Sequence, residues 1–137
     1  MSSFFDSNIL VYAFSTDIRR ERALTTIAGG GVISAQVLNE FTNVLRKKQR
    51  QDWSVIEAAV QSIRFRFPDI TPLTADTHAV ALALARDHTL AFYDALIVAA
   101  AIEAGCETLY SEDMQHGRSI GGLSIVNPFF GSTSPSP

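Results

Sequence analysis

Ser3-Phe4-Phe5-Asp6-Ser7-Asn8-Ile9-Leu10-Val11-Tyr12-Ala13 changes its periodicity halfway along. Ser3-Phe4-Phe5 is short and aromatic and reads as a strand, whereas Ile9, Leu10, Ala13 and Phe14 take the spacing of one helix face. A carboxylate, Asp6, falls at the junction. The same alternation recurs outward from this unit. Asp17 to Ala28 reads as a charged amphipathic helix closed by Gly29-Gly30-Gly31, and Val32-Ile33 as a minimal second strand. Ser34 caps a helix whose apolar positions are Val37, Leu38, Phe41, Val44 and Leu45. That helix ends in Arg46-Lys47-Lys48, cations that suit a helix C-terminus. A further helix runs from about Ser54 to Phe67 and stops at Pro68. Ile70 to Leu73 reads as a third strand, confined to an edge by Pro72. Thr74 starts a helix through Arg86, and Tyr93-Asp94 opens one reaching Ala104, with Gly105 at its end. Thr108-Leu109-Tyr110 and Leu123-Ser124-Ile125-Val126 complete the strands. The Ser/Pro-rich end from Gly131 to Pro137 reads as a disordered tail. One domain over 1–129, a tail over 130–137 and no internal repeat are expected.

Strands alternating with helices predict an α/β fold with a mainly parallel sheet. In such sheets ligands bind beyond the carboxyl ends of the strands, and this rule picks out particular acids. Asp6 directly follows the first strand, and Asp113 follows the strand Thr108 to Tyr110 by three residues. Asp94 heads a helix in which Ala95 to Ile102 carries no polar side chain. A helix apolar all round is central and buried, and its N-terminal amides favour an ionised carboxylate. Glu40 lies inside a helix, about 40° from Val44 and about 60° from Val37 at 100° per residue, so it borders the apolar face. Each acid has a plainer role open to it: Asp6 and Asp94 as N-caps, Asp113 as a turn residue in Ser111-Glu112-Asp113, Glu40 as a flank partner of surface arginines. Taken together they gain weight, because three elements can converge on one edge of a parallel sheet. Clustered carboxylates repel and resist desolvation, and a divalent cation offsets both. Oxygen-only ligands select hard ions such as Mg²⁺ or Mn²⁺. Two such ions about 4 Å apart would activate water and stabilise the leaving oxygen of a phosphodiester.

The composition sets outer bounds. At 137 residues the chain suits one domain with a self-sufficient core. The 47% hydrophobic and 18% charged fractions argue against extensive disorder. A net charge of -3 excludes a nucleic-acid binder that works by bulk positive charge. The single Cys106 precludes an internal disulfide and fits a reducing cytoplasm. No signal peptide is visible, and no apolar run reaches the ~18 residues of a membrane span.

The chain resembles the PIN-domain family, and within it the VapC-like toxin ribonucleases. The resemblance rests on Phe5-Asp6-Ser7-Asn8-Ile9-Leu10-Val11-Tyr12-Ala13, on Ser34 through Glu40-Phe41, on Tyr93-Asp94 through Ala101, and on Leu109-Tyr110-Ser111-Glu112-Asp113-Met114. It spans about residues 3 to 127. It implies a three-layer α/β/α sandwich and a Mg²⁺- or Mn²⁺-dependent endoribonuclease using one or two ions. Asp6 and Asp94 would be direct metal ligands. Glu40 and Asp113 would act through water or help to activate the nucleophile, and Asn8 and Ser111 would support the site by hydrogen bonds. Ser7 and Ser111 stand where threonine is frequent in the family, and both substitutions keep the hydroxyl. Glu112 is a spare carboxylate that shares Asp113's claim to be the fourth acid. The resemblance also implies an RNA substrate, a cognate antitoxin in a type II toxin-antitoxin pair, a homodimer, a cytoplasmic location and no membrane association.

Arg46-Lys47-Lys48-Gln49-Arg50 is the densest basic run, either a solvated helix end or a phosphate-steering patch beside the acids. Arg19, Arg20 and Arg22 add to it or meet a partner. His116 reads as a surface histidine, Cys106 and Trp53 as packing residues. Two other functions compete. An aspartate after the first strand is also the nucleophile of haloacid-dehalogenase-like phosphatases, but Asn8 stands where their second aspartate belongs and the downstream lysine is missing. A PIN-like module that binds RNA or protein without cutting it is the non-enzymatic alternative.

Overall fold

The structure, a computed structural model, describes residues 2–131. Strand β1 (Ser3–Phe5) lies beside β4 (Thr108–Tyr110), parallel and in the register Ser3–Thr108, Phe4–Leu109, Phe5–Tyr110. β6 (Leu123–Val126) adds to the far side of β4, also parallel. On the other flank β2 (Ile33–Ser34) pairs parallel with β3 (Ile70–Thr71). A parallel bridge between Phe4 and Val32 ties that pair to β1, through Phe5 N–H to Val32 O at 3.2 Å and Val32 N–H to Ser3 O at 2.9 Å. The strands therefore follow the order β3-β2-β1-β4-β6, with β5 (Ser119–Ile120) beyond β6, and helices pack against a mainly parallel central sheet as expected. β3 is at the edge and ends at Thr71, before Pro72, which has no N–H to give a ladder.

The helices are α1 (Ser7–Ala13), α2 (Arg20–Ala28), α3 (Ala35–Asn43), α4 (Trp53–Arg66), α5 (Ala75–His88) and α6 (Phe92–Glu103). α2 begins three residues later than its charge pattern predicts, because Asp17 turns back to hold Arg19. Ser34 caps α3 by accepting from Val37 N–H at 3.3 Å. Thr74 caps α5 in a reciprocal pair with Thr77. α3 runs on into a π-helical turn over Val44–Lys48, which apolar spacing does not reveal. β5 (Ser119–Ile120), antiparallel to β6, is likewise absent from the sequence expectation. Its hairpin turn is Gly121-Gly122, both at positive φ, the pairing that two-residue hairpins favour.

α6 fulfils the prediction of a central helix. One face, with Ile97, Val98, Ala100 and Ala101, enters the main core with Phe4, Phe5, Leu109 and Ile125. The opposite face, with Ala95, Leu96 and Ala99, packs on Ala81 of α5. Gly31 is needed for a close approach: a Cβ there would lie 2.6 Å from Ser3 O and 2.6 Å from the Phe5 ring. Phe130 stacks on His116 at a centroid separation of 4.2 Å. The Ser/Pro-rich tail from residue 132 onward lies outside the described residues.

Candidate active site

The β1–β4 register brings Asp6 and Ser111 to the same sheet end although 105 positions separate them. Asp6 ends β1 and caps α1, accepting from Ser7 N–H at 2.7 Å. Its other oxygen accepts from Ser111 Oγ at 2.7 Å. Both residues are almost wholly buried. Ser7 Oγ then donates to Glu40 Oε1 at 3.0 Å, and Gln36, one turn earlier on α3, donates to Glu40 Oε2 at 3.0 Å. Asp94 lies in the first turn of α6. Asn8 Nδ2 donates to Asp113 Oδ2 at 3.0 Å, and Asn8 Oδ1 receives Glu112 N–H at 3.3 Å. One asparagine thus links the start of α1 to the loop after β4.

Electrostatics shows that the four acids share one field. Burial pushes the Asp6 carboxyl up to about 7, and the charges of Glu40 and Asp94 add to the rise against the opposing Ser111 and Ser7 hydrogen bonds. Asp94 is also raised, first by burial and then by the carboxylates of Asp113 and Glu40. Among the described residues no lysine or arginine forms an ion pair with Asp6, Glu40, Asp94 or Asp113. Glu112 differs. Tyr12 OH donates to one of its oxygens, and Arg19 donates to the other at 2.8 Å. Arg19 is itself fixed by Asp17 at 2.8 Å and lies over the Tyr12 ring at 4.1 Å. The sequence favours Asp113 as the fourth acid with Glu112 as a spare; in the fold Glu112 is paired with Arg19, and Asp113 has no cationic partner among the described residues.

Ser7, Asn8, Glu40, Glu112 and Asp113 line a groove of about 720 Å³ whose walls include Asn43, Lys48 and Tyr93. Hard oxygen donors carrying excess negative charge fit Mg²⁺ or Mn²⁺. Among the described residues no three His, Cys, Asp or Glu are drawn together tightly enough to form a ready-made metal cage. Glu40, Glu112 and Asp113 line the groove, whereas Asp6 and Asp94 are not part of its lining; Asp6 is linked to Glu40 through the Ser7 hydroxyl. Of the basic run, only Lys48 lines the groove. Arg46 donates to Gln51 O at 3.1 Å and stacks on Trp53, 4.6 Å from the ring centroid. His116 accepts from Asn127 N–H at 3.0 Å and takes no part in the groove.

Sequence reasoning noted the Ser7 hydroxyl without giving it a partner, and missed Gln36 and Tyr12. Gln36 had a signal, its i, i+4 spacing to Glu40. The pairing of Tyr12 with Glu112, 100 positions apart, had none.

The structure resembles VapC20 of Mycobacterium tuberculosis, described as a sarcin-ricin loop cleaving toxin, at a TM-score of 0.67 and 23% identity over 82% of this chain and 90% of that one. It resembles a toxin-antitoxin complex from Klebsiella pneumoniae at 0.71 and 26% identity, covering 93% of this chain and 98% of that one. It also resembles VapBC2 of Rickettsia felis bound to a DNA fragment of its promoter, at 0.66 and 19% identity over 91% and 97% of the two chains. Comparison with curated proteins finds no match. The PIN domain model matches residues 3–118, a span that contains all four acids, Asn8 and Ser111. With the strand register and the order of the acids already in place, this chain belongs to the PIN-domain family.

Proposed function

We propose that this protein is a Mg²⁺- or Mn²⁺-dependent endoribonuclease, the toxin of a type II toxin-antitoxin pair. The observation that carries the reading is the set of electrostatically coupled carboxylates Asp6, Glu40, Asp94 and Asp113, which form no ion pair among the described residues, while Glu112 beside them is paired with Arg19. Asp6 and Asp94 are the direct metal ligands in this reading, with Glu40 and Asp113 acting through water. A bound divalent ion would supply water activation and stabilise the leaving oxygen of a phosphodiester. The chain's own residues do the rest. Ser111 and Ser7 hold Asp6 and favour its ionised form, Gln36 and Ser7 aim Glu40, and Asn8 aims Asp113. Membership of the PIN family removes the haloacid-dehalogenase reading, and Asn8 is committed to the loop after β4.

The antitoxin belongs to the same proposal, because the similar structures include toxin-antitoxin complexes. A second cavity of about 880 Å³ between α1, α2 and α4 is lined by Phe14, Leu24 and Phe65, with Arg20 and Arg66 at hand. Phe65 is 91% exposed, and a partner helix with an apolar face and acidic flanks would cover it. No described helix is long and apolar enough to cross a membrane; a cytoplasmic homodimer completes the reading, tested by light scattering.

The deciding assay is RNA cleavage with Mg²⁺ or Mn²⁺ against EDTA, wild type beside Asp6→Asn and Asp94→Asn. Cleavage only by metal-loaded wild type is expected. Equal cleavage in EDTA or by the variants sinks the reading. Metal binding without cleavage favours the RNA- or protein-binding module.

A further inference from the structure

We propose that Tyr93 and Lys48 form a nucleotide clamp across the acidic groove, Tyr93 stacking on a base of single-stranded RNA while Lys48 takes the adjoining phosphate. The clamp rests on the ribonuclease reading above.

Tyr93 immediately precedes Asp94, lines the groove and is 64% exposed. Its neighbour Phe92 is half-buried against the α5–α6 cluster, with its ring 5.0 Å from His78. Phe92 therefore does the packing, and Tyr93 is left facing the groove. No hydrogen bond to the Tyr93 hydroxyl is seen among the described residues, and the ring has Phe92 as its aromatic neighbour, at a centroid separation of 6.3 Å, so its outer face is open to a ligand. A large planar side chain open to solvent beside an acidic site is what base stacking uses.

Lys48 reaches the same groove through an irregularity of the backbone. The nine residues of α3 are followed by the π-helical turn Val44–Lys48, and both Val44 and Lys48 line the groove. Such turns cluster at functional sites. The turn separates the basic run: Arg46 is bound to Gln51 and Trp53, whereas Lys48 forms no ion pair among the described residues. The exposed amide of Asn43, on the same wall, adds a donor and an acceptor for a base edge. The substrate must be single-stranded, because a base within a duplex is already stacked on its neighbours.

The test uses a short labelled RNA in two assays. One is steady-state cleavage with Mn²⁺. The other is anisotropy binding in an Asp6→Asn background, which holds the RNA uncut. Tyr93→Ala should raise KM and Kd by roughly tenfold, as loss of one stacking aromatic does, with kcat little changed. Tyr93→Phe should behave as wild type. Lys48→Gln should flatten the slope of log Kd against log salt by about 0.7, one phosphate contact on a single strand. Unchanged KM and Kd in Tyr93→Ala, with wild-type cleavage intact, overturns the clamp and leaves the ribonuclease reading standing. Equal impairment of Tyr93→Phe and Tyr93→Ala also overturns it, since stacking needs no hydroxyl. Binding of duplex RNA as tight as that of the single strand does the same. Failure of the wild type to bind or cut any RNA is instead failure of the reading beneath.

Discussion

Ser111 donates its hydroxyl hydrogen to Asp6 Oδ2 at 2.7 Å, from the end of β4 to the end of β1. This bond opposes the largest influence on Asp6, its burial, and favours the ionised carboxylate that a metal needs. A hydrogen bond to a charged group is worth ~1.5–3 kcal/mol, and one pKa unit is about 1.4 kcal/mol. Ser111→Ala should therefore move the acid limb of the kcat/KM profile upward by about one to two pH units. Ser111→Thr, which keeps the hydroxyl, should leave it in place. A pH–rate profile of the three proteins decides.

Metal-free stability should fall with rising pH through this same group. The folded-state value of Asp6, about 7, is above its ordinary 3.8, so the native state holds the proton more tightly than the unfolded chain. Its contribution is full below about 4 and is lost as pH rises through about 7. In EDTA, Asp6→Asn should melt above wild type at pH 8, by about 4 °C for each kcal/mol at this chain length, and the gap should close at pH 4. Mn²⁺ at pH 8 should raise the wild-type Tm by linkage and the Asp6→Asn Tm far less. Thermal melts over this pH range test both statements.

Glu112 and Asp113 should separate in metal binding. Glu112 is already paired with Arg19 and Tyr12, so Glu112→Gln should leave Mn²⁺ affinity within about twofold. Asp113→Asn, which removes a charge that no cation offsets, should weaken it by roughly ten- to hundredfold, the range for supporting ligands. Titration calorimetry with both variants shows whether the order is right. The reverse order would make Glu112 the fourth acid.

Gly31→Ala should destabilise the fold without touching the groove. Its Cβ would meet the backbone of Ser3 at 2.6 Å, and backbone cannot turn aside as a side chain can. Overpacking of this kind costs about 1–3 kcal/mol, and the affected bridge between Val32 and β1 ties β2 and β3 to the rest of the sheet. Urea denaturation should show a lower midpoint, with kcat of the folded fraction unchanged.

Phe65→Ser should weaken binding of a cognate antitoxin while leaving RNA cleavage as in wild type. Phe65 stands in the apolar cavity between α1, α2 and α4, away from the acidic groove. Pull-down with the product of a neighbouring reading frame, beside a cleavage assay, separates the two surfaces.

Local chemistry was legible in the sequence. The Ser34 cap, the helix start at Thr74, the edge position of the strand read over Ile70 to Leu73 and the central burial read for Ala95 to Ile102 each follow from a few adjacent residues; in the structure the strand stops at Thr71 and Ile102 is half-buried, and the rest stands. Asp6, Asp94 and Asp113 were marked by strand ends and a helix start, Glu40 by its angle to an apolar face. The decisions left to the tertiary structure all involve residues far apart in the chain. Tyr12 and Arg19 claim Glu112 across 100 and 93 positions, Ser7 ties Asp6 to Glu40, and the π-helical turn lets Lys48, not Arg46, face the acids. The reason is physical. Periodicity and capping report the nearest few residues, whereas the partner of a side chain depends on strand register, and register is fixed only when the whole core packs.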